Sequence, residues 1–206
     1  MESKPKSKPK DYPNKDVHVY HLRLLTLISK GDREAFELLY NEFHGRLYIY
    51  LKKRYQDEHI IHDILQDIFI AIWRGASGYS GKSSVAAWIF SIARNKVTDV
   101  IRLKYKRNEE MNDGGAAIGM MTDSMSSTDF SEIVSTQLTL QNVVSKMPID
   151  MQELISLVFV HGFSYKEVSE IMAIPEGTVK SRMYSLKKFV KKEIEIGGEL
   201  GDGYPM

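Results

Sequence analysis

The sequence predicts an all-α protein built as two small helical domains joined by a flexible linker. Three observations predict it. Apolar residues recur at three- and four-residue steps almost throughout, and strand-like alternation is nearly absent. Basic residues gather in two separate stretches, with an acidic stretch rich in Gly, Ser and Met between them. Near the C-terminus, a glycine stop and a helix-start signal precede a strongly basic helix.

Composition bounds the function classes. The chain has 206 residues with 28 basic and 27 acidic side chains, and its apolar share of 43% can fill a core. It has no cysteine. That excludes a disulfide framework, a thiol nucleophile and a thiolate metal site, and it fits a reducing compartment. No apolar run approaches the roughly 18 residues of a membrane span. Met1 to Lys15 has no apolar stretch after its charges, so it does not read as a secretory signal. The expectation is a cytoplasmic protein.

Residues 1–20 read as a basic disordered tail, with Lys4, Lys6, Lys8, Lys10 and Lys15 spaced by Pro5, Pro9 and Pro13. Residues 21–107 read as the first helical domain. Its first helix carries Leu22, Leu25 and Ile28 and ends at Gly31. Asp32 can cap the second, whose inward stripe is Phe36, Leu39, Tyr40, Phe43 and Leu47. A third carries Ile61, Ile64, Leu65, Ile68, Phe69, Ile72 and Trp73. Gly75, Gly78 and Gly81 then punctuate a loop. The fourth helix starts near Val85 and turns Trp88, Ile89, Ile92, Ala93, Val97, Val100 and Ile101 inward.

Residues 108–135 read as a flexible acidic linker. From Asn108 it carries Glu109, Glu110, Asp113, Asp123, Asp129 and Glu132 and no basic residue. Residues 136–196 read as a second helical domain, with a helix near Ile133 to Met147 and a break at Pro148, and residues 197–206 as a tail. Two basic patches flank the linker. Arg94, Lys96, Arg102, Lys104, Lys106 and Arg107 form one; Lys180, Arg182, Lys187, Lys188, Lys191 and Lys192 form the other. Two modules that each meet a polyanion would give this pattern, and so would two solvated helix faces.

The C-terminal signal is sharper. Gly162 can stop a helix in the left-handed conformation. Ser164 and Glu167 then have the spacing of a capping box. Ala173-Ile174-Pro175 makes a tight turn, and a new helix can begin after it. That last helix buries Val179, Met183, Leu186 and Val190, leaving Thr178, Lys180, Ser181, Arg182, Tyr184, Ser185, Lys187 and Lys188 outward. Short helix, short turn and basic helix form the helix-turn-helix pattern, whose second helix enters the major groove. A hairpin used only for packing is the alternative.

Ile174-Pro-Glu-Gly-Thr-Val-Lys-Ser-Arg182, after Gly162-Phe-Ser-Tyr-Lys-Glu-Val168, resembles the minus-thirty-five reading module of extracytoplasmic-function (ECF) sigma factors. Asp32 to Tyr40 resembles the opening helix of the same family's domain two. Asp63-Ile-Leu-Gln-Asp-Ile-Phe69 resembles its polymerase-binding helix. Trp88 to Asn95 with Asp99 to Arg102 resembles its minus-ten helix, and Met147-Pro148 stands where the family has Leu-Pro before domain four. The resemblance covers about Leu22 to Ile194. It implies a sigma domain two bundle and a sigma domain four helix-turn-helix. It also implies a dissociable specificity subunit of bacterial RNA polymerase that reads both promoter elements and promotes strand opening.

On that resemblance, Thr178, Lys180, Ser181, Arg182, Tyr184 and Ser185 are expected to contact the minus-thirty-five element. Tyr79, Lys82, Ser83, Ser84, Arg94, Asn95, Arg102 and Lys104 are expected at the minus-ten element. Asp63, Gln66 and Asp67 are expected on core polymerase. Two departures are visible. His62 stands where the family usually has an acid, and Ser185 where arginine is common. Trp88 lies on the apolar stripe, so Tyr79 is the better aromatic candidate for an unstacked base. Implied partners are core RNA polymerase (beta-prime clamp and beta flap), promoter DNA and an anti-sigma factor, with no small-molecule substrate.

Enzyme signatures are missing: there is no GxxxxGK[ST], HExxH or GxSxG. His59 and His62 could share a helix face, but no further ligand cluster follows, and an exposed pair is the plainer reading. The expectation is a non-enzyme with no cofactor and no metal. A helix-turn-helix regulator acting alone as a dimer, and a pure protein-interaction module, are the other classes. The absence of an obvious dimer helix argues against the first, and the paired basic surfaces against the second.

Overall fold

The computed structural model describes residues 15–111, 144–145 and 147–199, and every described element is helical. The chain divides into two compact units. One comprises residues 1–99 with 166–173, the other residues 100–165 with 174–206.

The first unit contains α1 (Lys15–Ile28), α2 (Arg33–Lys52), α3 (Glu58–Gly75), a short 3-10 turn (Ala76–Gly78), the opening half of α4 (Val85–Met111) and α5 (Tyr165–Met172; the residues from 166 on). Local chemistry sets the helix starts. The Asp32 carboxylate accepts from Ala35 N at 3.0 Å, and the Asp57 carboxylate accepts from His59 N at 2.9 Å. Each satisfies an N–H that the first helical turn leaves without a partner. Apolar residues at helical spacing then bury Leu39, Phe43, Leu47 and Leu51 on α2, Ile61, Ile68 and Ile72 on α3, and Ile89, Phe90 and Ala93 on α4. Tyr50 is fully buried, its ring edge-on to Phe90 at 5.5 Å.

Three expectations change. α1 begins at Lys15, so residues 15–20 are helical where the sequence suggested tail. Asp16 in its first turn suits the helix dipole, and buried His21 anchors the helix by a 2.6 Å bond to Glu42. The inward stripe of α2 is rotated from the predicted one: Ala35 is buried, while Tyr40 is exposed and Phe36 half-exposed. On α4, Val97 is the last buried residue among the described side chains, and Ile101 and Leu103 are 43% and 65% exposed. The reason is length. α4 has 27 residues against 20 in α2, so at 1.5 Å per residue it is about 10 Å longer. It also continues through Asn108–Met111, where the sequence placed the linker's start. Glu109, Glu110 and Met111 are good helix formers. The rest of the expected linker and the expected helix to Met147 lie almost wholly outside the described residues.

In the second unit, α6 (Ile149–Ile155) — placed before α5 in the chain — follows Pro148 and runs into a π-helical turn, Ser156–Val160. The wider ring closes through His161 N to Ser156 O at 3.0 Å. Gly162 then adopts φ +72°, and Phe163 N reaches back to Leu157 O at 3.0 Å. This is a glycine helix stop, with the following residue buried beneath it. A turn at Ala173 to Pro175 leads to α7 (Glu176–Glu199), whose first N–H groups, from Thr178 and Val179, bond Pro175 O at 2.9 and 3.2 Å. Leu154, Leu157, Phe163, Val179, Met183 and Leu186 form this unit's core.

Candidate nucleic-acid and protein interfaces

α7 separates its faces cleanly. Val179, Met183 and Leu186 are buried, so the opposite side is left to solvent. Lys180, Ser181, Ser185, Lys187 and Lys188 are exposed there, Tyr184 is 72% exposed, and Thr178 and Arg182 are half-buried. Lys180 Nζ pairs with Glu176 at 2.8 Å one turn earlier, and Ser181 Oγ donates to Thr178 O at 3.0 Å. Both contacts are exposed and weak, so the groups remain open to exchange for a polyanion. The face thus presents cationic, hydrogen-bonding and aromatic groups, the kinds of group that meet the phosphates, base edges and sugars of duplex DNA.

The second candidate surface is the loop before α4 and the outer side of that helix. Gly81, at φ +69°, turns the loop, and Lys82 beside it is exposed. Tyr79 is half-buried. Its hydroxyl donates to Ser83 O, and its ring lies 5.4 Å from Trp88, nearly edge-on. Tyr79 therefore braces the loop in this state. Trp88 is half-exposed rather than core, and its ring packs so closely over Gly75 that a β-carbon there would sit 3.3 Å from it. Ser84 is buried, and its Oγ accepts from Ala87 N at 3.1 Å, capping α4. Along α4, Asn95 and Arg102 are exposed and seven residues apart, which sets them on one side about 10 Å apart; Arg94 is half-buried beside them. The side chain of Lys104 lies outside the described ones. Lys96 is partly engaged, 3.4 Å from Asp67 on α3.

The third surface is on α3. Asp63, Gln66, Asp67 and Ile70 are exposed, while Ile64, Leu65, Ile68 and Phe69 are buried between them. Sequence reasoning missed what lies beside this face. Phe36, Tyr40 and His44 of α2 and Leu65, Phe69, Ile70 and Trp73 of α3 wall a groove of about 610 Å³, with His62, Gln66 and Arg74 at its edge. Phe36 stands edge-on to Trp73 at 5.2 Å, and Tyr40 meets Phe69 at 4.5 Å. The signal was present as a surplus: α2 has more apolar residues than one buried stripe can hold. A polar rim beside an aromatic groove suits a protein helix better than a phosphate backbone.

At the start of α3, Glu58 accepts from Tyr48 and from Lys52. These bonds, Lys52's first, hold its carboxyl below the usual carboxylate range. Among the described residues, no three His, Cys, Asp or Glu side chains gather as a metal site would require, and no helix is long and apolar enough to cross a membrane.

Family models of sigma-70 region 2 and sigma-70 region 4 match residues 39–107 and 137–190, together more than half of the chain. The chain is 26% identical over 179 residues to an ECF RNA polymerase sigma-E factor of Haemophilus influenzae, covering 84% of this chain and 94% of that one. It is 26% identical over 184 residues to that of Escherichia coli, covering 84% and 93%. Among solved structures, CnrH in complex with the cytosolic domain of CnrY matches with a TM-score of 0.60 at 18% identity, over 86% of this chain and 98% of that one. The sigma factor RpoE in complex with the anti-sigma factor NepR from Bartonella quintana matches at 0.52 and 20%, over 89% and 99%. At those identities the structural likeness speaks for the fold.

Proposed function

Because the chain belongs to the ECF RNA polymerase sigma factor family, we propose that its three surfaces divide the work of transcription initiation among promoter duplex, melted strand and polymerase. It is a sigma factor for transcription initiation. The family is not one of catalytic enzymes, and in this reading nucleotide joining is left to the polymerase. Core polymerase and promoter DNA set its place of action, which is the cytoplasm.

The observation that carries the residue assignments is the exposed face of α7. Lys180, Ser181, Tyr184 and Ser185 stand opposite a buried stripe, on the helix that follows a short helix and a three-residue turn. We assign this face, with Thr178 and Arg182 at its margins, to the minus-thirty-five element. Lys82, Ser83, Arg94, Asn95 and Arg102 are assigned to the minus-ten strand, with Tyr79 and Ser84 shaping the loop that receives it. Asp63, Gln66 and Asp67, together with the aromatic groove of α2 and α3, are assigned to the polymerase clamp. The relatives solved with bound anti-sigma factors make such a regulator a natural further partner of this chain.

Transcription from purified core polymerase is the test. The wild-type chain should start promoter-specific synthesis. Lys180→Ala with Tyr184→Ala should lower initiation at promoters that depend on the upstream element by about tenfold or more, since base contacts contribute roughly 1–3 kcal/mol each. Binding to core polymerase should be unchanged. Undiminished initiation by the double variant would remove the α7 assignment.

A further inference from the structure

The side of α2 turned away from its core carries a palindrome. At helical steps of three and four residues it runs Glu34, Leu38, Asn41, Gly45, Ile49 and Lys52, every one of them exposed. Leu38 is 51% exposed and Ile49 is 48% exposed. Leu39, Phe43 and Leu47 occupy the opposite side and are fully buried. From either end the order is charge, branched apolar, small, small, branched apolar, charge, and the two charges have opposite signs.

Exposure alone says little, since single leucines are common on protein surfaces. The helix dipole already accounts for an acid in the first turn and a base in the last. It gives no reason for an apolar pair flanking a glycine. Glycine weakens a helix interior, and close approach of another backbone is one use that offsets this. A β-carbon built on Gly45 would meet nothing within 4 Å, so among the described residues no part of its own chain makes that approach. Lys52 bonds Glu58, but both side chains are about half exposed, and such a pair exchanges readily for another.

We propose that this face recognises a second copy of the chain, α2 packing antiparallel on α2 about a two-fold axis midway between Asn41 and Gly45. An isologous contact requires each residue to suit its counterpart. In the antiparallel register Glu34 meets Lys52 of the second copy, Leu38 meets Ile49, and Asn41 meets Gly45, each pairing occurring twice. Parallel packing would set Glu34 against Glu34 and Lys52 against Lys52. Charge therefore selects the antiparallel arrangement, which also opposes the two helix dipoles. Small residues at the centre allow the short end of the interaxial range, about 8 Å. α2 has 20 residues and is about 30 Å long. One such helix pair buries less than the roughly 1,200 Å² of a standard interface, so the pairing is weak and depends on concentration. Phe36 and Tyr40, which wall the aromatic groove, lie on another side of α2, so the inference does not rest on the groove's assignment.

Analytical ultracentrifugation of the full chain tests this. Between about 1 and 200 μM the wild type should pass from monomer toward dimer, as a small interface does. Glu34→Lys and Lys52→Glu should each weaken self-association about tenfold, because each sets like charges opposite one another twice. Mixed in equal amounts, the two variants should associate as strongly as wild type, since every charge then meets its opposite. Gly45→Arg places a long side chain on the axis. The site is open, so this variant should match the wild-type melting temperature or exceed it, yet remain monomeric. A wild type that stays monomeric throughout, a dimer that none of the variants weakens, or a mixture that shows no rescue would each overturn the proposal. A monomeric wild type whose Gly45→Arg variant loses binding to core polymerase would give the face to the polymerase and overturn self-recognition as well.

Discussion

Gly162 and Ala173 bracket α5, and both adopt left-handed backbone, at φ +72° and +55°. For an L-residue that conformation costs roughly 1–2 kcal/mol, and glycine avoids the cost. A β-carbon at Gly162 would meet nothing within 4 Å, so Gly162→Ala should cost the backbone strain less the roughly 0.4–1 kcal/mol that a stiffer unfolded chain returns, a net loss of up to about 1.6 kcal/mol in urea unfolding. Ala173 already bears such strain. Ala173→Gly should relieve it, offset by the roughly 0.4–1 kcal/mol that a freer unfolded chain costs, for a net gain of up to about 1.6 kcal/mol. Opposite signs at the two positions are the expected result; a stabilised Gly162→Ala variant would contradict the left-handed stop.

Residue chemistry also sets a pH dependence. Burial, and then the charge of His21, lower the pKa of His18, with Glu167 acting against them. A base whose folded pKa lies below its usual 6.5 prefers to be neutral in the fold. Its contribution to stability is complete above pH 6.5 and declines as pH falls from there toward the folded pKa. Glu58, held below its usual 4.5, contributes above that value and loses its contribution as pH falls through its own folded pKa. Melting temperature should therefore decline in two stages on acidification. His18→Gln should flatten the first stage and leave the second; an unchanged first stage would show that His18 does not carry it.

At the scale of elements, the loop from Gly78 to Ser84 and helix α4 act as one device. Tyr79 ties the loop to Ser83 and Trp88, while Lys82 and Asn95 remain open to solvent. Opening promoter DNA costs roughly 1.4 kcal/mol per base-pair step in lost stacking, and strand capture must offset part of it. Lys82→Ala with Asn95→Ala changes two exposed side chains, so folding and clamp docking should be preserved. Initiation on duplex promoters should fall about tenfold, and a premelted bubble should restore most of it. Permanganate reactivity of the opened thymines reads this directly. Wild-type opening by the double variant would detach this loop and helix face from strand capture.

Across the whole molecule, the sequence determined more than its near-neutral net charge suggests. Helix positions were legible because burial of one helix side writes itself at three- and four-residue spacing. The capping acid Asp32 and the stop at Gly162 were legible because each serves the backbone within a few residues of itself. The basic face of α7 was legible for the same reason: Val179, Met183 and Leu186 declare the buried side, and Lys180 and Tyr184 fall opposite. What only the tertiary structure decided depends on neighbours far along the chain. Whether Phe36 and Tyr40 are core or groove wall is set by where α3 crosses α2, and no spacing within α2 records that crossing. How far α4 stays covered is set by the lengths of its partners. Ser84 and Glu167 each looked complete locally, one as a loop serine and one as a capping acid. A hydrogen bond across 83 residues leaves no periodic trace, because its strength comes from shared burial that only the folded chain supplies.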